Sequence, residues 1–143
     1  MRDPWHVRCP QVQRLYPTLS LVIECCTIQA ALTHSTANGI NAAVAAALMT
    51  HYFLYNLDPK KDLGIFLEEH MPRHWANPWT GEVKSKGWMS MQAAVTALLP
   101  TNSMSDLLKR CIQFSGDVDT VAAITQLCVN LEILLRKLVL HAA

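Results

Sequence analysis

Charge is scarce in this chain. Only 16% of its 143 residues are Asp, Glu, Lys or Arg, where a soluble domain averages about 25%. With 51% hydrophobic residues and a formal net charge of +1, intrinsic disorder is excluded, because it needs low hydrophobicity and high net charge. A near-neutral chain also lacks the electrostatic footprint of a nucleic-acid or anionic-lipid binder. Glycine and proline are few, at 5 and 7, which argues for long regular elements. Cysteine is neither paired nor patterned. The thiols are Cys9, Cys25, Cys26, Cys111 and Cys128, an odd count with no CxxC spacing, so neither a disulfide scaffold nor a zinc knuckle is expected. Buried or idle thiols in a reducing compartment fit better, and the expected setting is intracellular and cytoplasmic. The opening Met1-Arg2-Asp3-Pro4-Trp5-His6 has no apolar core of a signal peptide.

No Asp, Glu, Lys or Arg occurs between Cys25 and Leu57. That stretch is broken by Thr33, His34, Ser35, Thr36, Asn38 and Gly39. A spanning helix wants about 20 predominantly apolar residues in one run, so a buried helix is expected, not a membrane span.

The chain reads as a series of helices. Residues 1–18 carry Pro4, Pro10 and Pro17 and are expected to be irregular. Ser20 can cap a helix to Leu32, and Asn38 one from Ile40 to Tyr55. The latter's Ala42–Leu48 run of small residues should let neighbours approach closely, placing it at the centre of a bundle. Pro59 suits the first turn of a short helix to Glu69. From His70 to Trp88 the chain turns loop-like, with Pro72, Pro78, Gly81, Gly87 and three tryptophans, and loops this long are commonly functional. Ser90 opens a helix to Leu99, Ser103 or Ser105 caps one to Phe114, and Asp119 can cap the last, to His141. Nothing alternates cleanly enough for a strand. The predicted class is all-α.

Two segments could carry chemistry. In Ser115-Gly116-Asp117-Val118-Asp119-Thr120, two carboxylates at i and i+2 and a hydroxyl give three hard oxygen donors at a helix start, the ligand type of Mg²⁺ or Mn²⁺. An EF-hand is excluded, since Ala122 and Cys128 stand where its glycine and glutamate belong. The same residues could equally be a plain helix start, with Asp119 capping and Asp117 favouring the helix dipole. In Leu32-Thr33-His34-Ser35-Thr36-Ala37-Asn38-Gly39, a histidine and small polar groups precede a helix N-terminus, a place for a phosphate or for simple caps. His70 and His74 have metal-like spacing, but Pro72 lies between them.

Taken together, Ile28-Gln29-Ala30-Ala31-Leu32-Thr33-His34, Gly39-Ile40-Asn41-Ala42-Ala43 and the Gly116–Ile124 run GDVDTVAAI resemble the ADP-ribosylglycohydrolase family over roughly Leu19 to Ile124. The resemblance implies an all-α globule with a binuclear Mg²⁺ or Mn²⁺ centre that removes ADP-ribose from modified substrates. Asp117, Asp119 and Thr120 match the family's C-terminal metal ligands, and His34 matches a histidine near its ADP-ribose pocket. ADP-ribose or an ADP-ribosylated protein is the implied partner. Ser115 stands where the family usually has a first glycine, which would alter backbone access near the metals.

The family's N-terminal half supplies a glycine-rich segment and a Thr-Asp-Asp cluster, and this chain contains no Asp-Asp pair. The expectation is therefore an incomplete globule, with residues 19–143 forming the C-terminal half of the domain and the N-terminal half missing. No general acid or base can be assigned. Two octahedral cations need about twelve donors, so the site should be weak and activity in isolation doubtful. The alternative is a non-catalytic helical interaction protein derived from the family. Leu127, Leu131, Leu134, Leu135 and Leu138, with Val129, Ile133, Val139 and Leu140, make the last helix apolar nearly all round. It should be buried in the globule or, in a half-domain, find self-association or another chain.

Overall fold

A computed structural model of the chain describes residues 18–33, 35–55 and 59–142, with side chains to position 131 and at 133 and 137. Six α-helices run in order: α1 (Leu19–Ala31), α2 (Ala37–Leu54), α3 (Leu63–His70), α4 (Gly87–Leu98), α5 (Met104–Gln113) and α6 (Val118–Ala142), with a 3-10 turn (Lys60–Asp62) leading into α3. Among the described residues there is no strand, only one isolated parallel bridge between Val83 and Gly116. The protein is all-α, and no described helix is long and apolar enough to cross a membrane.

Helix starts follow from which hydroxyl can accept an orphan amide. Thr18 accepts from the Leu21 N–H and Thr36 from the Gly39 N–H, both at 3.2 Å. Each therefore caps two residues earlier than the Ser20 and Asn38 positions suggested by pattern. Ser103 caps α5 through the Asp106 N–H, as expected. Helix α4 starts at Gly87, three residues before Ser90, and has no side-chain cap.

The alanine-rich α2 is the centre of the bundle, packing against α1, α3, α4 and α6. Ala45, Leu48 and Met49 are fully buried, and each large side chain there contributes about 1.5–3 kcal/mol by leaving water. The small residues matter for the opposite reason: Ala42 lies so close to Gly87 that a Cβ there would sit 3.2 Å from its methyl group. This contact lays the first turns of α2 against the start of α4.

At the other end of α2, His51 is buried and meets the Tyr55 ring edge-on at 4.5 Å. Burial lowers its pKa. Since the folded value lies below the unfolded one, the unfolded chain takes up the proton first. Stability is therefore complete above the ordinary imidazole pKa of about 6.5 and declines as pH falls toward the folded value. The melting temperature is expected to drop between about pH 7.5 and about pH 5.5 by more in the native chain than in His51→Phe. Equal drops in calorimetry would remove His51 from the account.

Helix α6 buries Val121, Thr125 and Cys128, an i, i+4, i+7 stripe; of the predicted leucine stripe Leu127 is 51% exposed and Leu131 half-buried, and the side chains of Leu134, Leu135 and Leu138 lie outside the described residues. The correction has a packing cause. Thr125 donates to the Ala122 carbonyl and lies 3.6 Å from the Cys111 sulfur, so it can face the core with its hydroxyl satisfied. Burial pushes the Cys128 thiol up to about 12, consistent with an idle cysteine.

The stretch 71–86 is a strap, not a free loop. Trp75 is wholly buried, the Ala76 N–H donates to Glu68 at 2.9 Å, the Trp79 N–H donates to the Thr96 hydroxyl at 2.8 Å, and Gln92 donates to the Asn77 carbonyl at 3.0 Å. The His70 Nδ1 lies 2.8 Å from the Phe66 carbonyl, one turn back on α3, and among the described residues His70 and His74 belong to no group of three His, Cys, Asp or Glu side chains that could hold a metal ion. Near its end Val83 lies beside Gly116, and in this way the strap reaches the turn that opens α6.

Candidate metal centre

The turn between α5 and α6 is built from two residues in the left-handed region, Ser115 at φ 59° and Gly116 at φ 75°. Glycine is needed at the second. A Cβ on Gly116 would lie 2.1 Å from the Val83 carbonyl oxygen, well inside contact distance. That oxygen accepts from the Asp117 N–H at 2.8 Å, and the Val83 N–H donates to the Ser115 carbonyl at 3.2 Å. The two bonds hold the turn on the strap. Ser115 adopts the same hand with a side chain, at a cost of about 1–2 kcal/mol, which accounts for the resemblance favouring glycine there.

Helical bonding in α6 begins from the Asp117 carbonyl, which accepts from Val121. Asp117 thus takes the capping position expected of Asp119, and Asp119 falls in the first helical turn. The reason is the tight turn before it, which leaves the chain helical one residue after Asp117. The Asp117 carboxyl accepts from the Thr120 hydroxyl at 2.8 Å and from the Ser90 hydroxyl at 3.5 Å. Asp119 is exposed, and its pKa is lowered, first by a hydrogen bond with the Asp117 carboxyl, then by the Thr120 and Asp119 backbone amides. Structure therefore gathers the three predicted ligands on one turn of α6.

It also adds one residue that the sequence reading used only as a helix start. Ser90 is 1% exposed and points its hydroxyl at Asp117 from α4. No spacing rule connects positions 27 residues apart, so only the packing of α4 on α6 reveals it. Because Ala42 meets Gly87 and Ser90 meets Asp117, the starts of α2, α4 and α6 converge. Three positive dipole ends favour carboxylates and other anions at this corner. Arg73 reaches the same end from the strap, donating to the Asn38 side chain at 3.5 Å. His34, the predicted ADP-ribose contact, lies outside the described residues.

The donor set fits one hard cation. Mg²⁺ keeps several waters and is commonly held by one or two carboxylates, the donor type that Asp117 and Asp119 offer. They form no larger cluster: among the described residues no three His, Cys, Asp or Glu side chains make a group that could hold a metal ion.

Comparison with known families agrees with the motif reading. The sequence model of the ADP-ribosylglycohydrolase family matches residues 7–125, starting earlier than the Leu19 at which the quoted motifs begin to resemble it. No curated protein and no solved structure matches the chain.

Proposed function

The chain belongs to the ADP-ribosylglycohydrolase family, and from that premise we propose that it binds ADP-ribosyl groups through a single Mg²⁺ or Mn²⁺ held by Asp117, Asp119 and Thr120. On this reading it is the C-terminal half of the family's domain and supplies one face of a binuclear centre. Hydrolysis of the ADP-ribosyl bond then needs the opposite acidic face. The observation that carries the reading is the turn itself: the Thr120 hydroxyl bonds the Asp117 carboxyl, Asp119 lies between them in the first turn of α6, and the Val83 bridge holds the turn.

A cation bound there supplies Lewis-acid polarisation and a template for the ribose hydroxyls. The chain's own residues do the rest of the work. Ser90 and Thr120 hold the Asp117 carboxyl in one rotamer by donating to its two oxygens. Asp119, exposed and with its pKa lowered from the ordinary carboxylate value, supplies negative charge at an edge where a ligand can approach. The converging helix starts favour the anionic portion of such a ligand, and His34 is the side chain proposed to contact it.

The test is binding of Mn²⁺ by electron paramagnetic resonance, with thermal unfolding in Mn²⁺ and ADP-ribose. Ligand at a hundred times its Kd adds about 2.7 kcal/mol. Asp117→Ala and Asp119→Ala are each expected to lower Mn²⁺ affinity by about tenfold or more and to abolish the upward shift in melting temperature. Unchanged Mn²⁺ binding in both variants would sink the proposal.

A second reading has its own support. Leu21, Cys25, Ile28 and Leu32 recur at i, i+4, i+7 and i+11 on α1 and all are exposed, Leu32 at 83%. Such a stripe suits a non-catalytic interaction protein, whether it self-associates or meets another chain. Indifference of the chain to Mn²⁺ and ADP-ribose, together with concentration-dependent association, selects it.

A further inference from the structure

We propose that the cleft between the strap, α4 and α5 is a second binding site, for a small aromatic carboxylate. The cleft has a volume of about 330 Å³ and is lined by Trp79 and Gly81 of the strap, Ala97 of α4, and Arg110, Gln113 and Phe114 at the end of α5. Ligand cavities start near about 300 Å³, so this one suits a ligand of one or two rings. It lies on the α5 side of the Val83–Gly116 bridge, with none of the predicted cation ligands in its walls. The inference does not rest on the cation reading.

The apolar wall is pre-organised. The Trp79 backbone is tied to Thr96, its indole N–H donates to the Gly81 carbonyl at 3.2 Å, and its ring meets Trp88 edge-on at 5.7 Å. Trp88 is in turn covered by the Arg73 guanidinium, 4.0 Å from its ring centre. The Trp79 side chain is thereby held in place at the cleft, which Phe114 also lines. Little ordering remains to oppose a flat ligand.

The polar wall is cationic. Arg110 and Gln113 are one turn apart on α5 and both exposed, and Arg110 makes no ion pair among the described residues. A guanidinium offers five donors and no acceptor. Its fork matches a carboxylate through two parallel hydrogen bonds, and the Gln113 amide can donate a third. A cleft lined by aromatic rings and by such a guanidinium would favour a ring bearing a carboxylate over a neutral ring of equal size.

Titration of the ¹⁵N-labelled full chain with benzoate and 2-naphthoate tests this. The expected result is saturable shifts at the Trp79 indole N–H and at the Gly81 and Gln113 amides. Arg110→Gln, an exposed change that leaves the core intact, should raise the Kd by about tenfold or more, and 2-naphthylmethanol should bind as weakly as the carboxylate does to that variant. Equal binding of the neutral alcohol, unchanged affinity in Arg110→Gln, or shifts confined to Ile28 and Leu32 on α1 would each overturn the proposal, as would no saturable binding.

Discussion

Replacing Gly116 by alanine is expected to lower stability by about 3 kcal/mol and to disrupt the turn proposed to hold a cation. Three costs combine. An L side chain at φ 75° is strained by about 1–2 kcal/mol. The new methyl cannot coexist with the Val83 carbonyl, which would be 2.1 Å away, so the strap must separate from the turn. Both backbone bonds of the bridge are then lost, each worth about 0.5–1.5 kcal/mol. Gly81 provides the control. It has a similar hand, φ 94°, but open space where a Cβ would go. Gly81→Ala should therefore show the backbone strain alone and leave Mn²⁺ binding intact. Denaturant unfolding and Mn²⁺ titration of the two variants check both statements, and comparable losses in both would mean that the carbonyl contact is not what fixes the turn.

The second large effect concerns Trp75. Its ring is completely buried, yet its indole N–H has no hydrogen-bond partner among the described residues. Trp75→Ala should cost about 3–5 kcal/mol through the cavity that it leaves. Trp75→Phe should cost far less, about 1–2 kcal/mol, because the lost ring area is partly offset when an unpaired donor, itself costing about 1–3 kcal/mol, is removed. The ordering is the measurement: chemical unfolding of both variants, compared with the parent. If phenylalanine proved as damaging as alanine, the N–H would have to be bonded in solution, for example to a trapped water.

Such a residue also shows where reading a sequence loses its grip. Trp75, Trp79 and Trp88 lie in a stretch whose prolines and glycines mark a loop, and nothing local says which ring is core and which is wall. That depends on Gly64 admitting Ala76 so closely that a Cβ would fall 2.7 Å from its Cα, a tertiary fact. Helix starts shift by two or three residues for a related reason. Several hydroxyls in each linker could cap, and the choice goes to the one that also satisfies packing. Ser90, apparently a helix opener, is instead buried against Asp117.

By itself the sequence determined the helical class, since few glycines, few prolines and no alternating pattern leave little else. It determined the central place of α2, because only small side chains let helices approach on several sides. It determined the candidate ligands Asp117, Asp119 and Thr120, whose chemistry is local to one turn, and the family, whose motifs are contiguous runs. Tertiary structure alone decided which face of α6 is buried, that Asp117 and not Asp119 caps it, and that Ser90, Val83 and Gly116 hold the site. Those outcomes rest on contacts between positions far apart in the chain, where hydrogen-bond distance and excluded volume select one arrangement among many that local pattern permits equally.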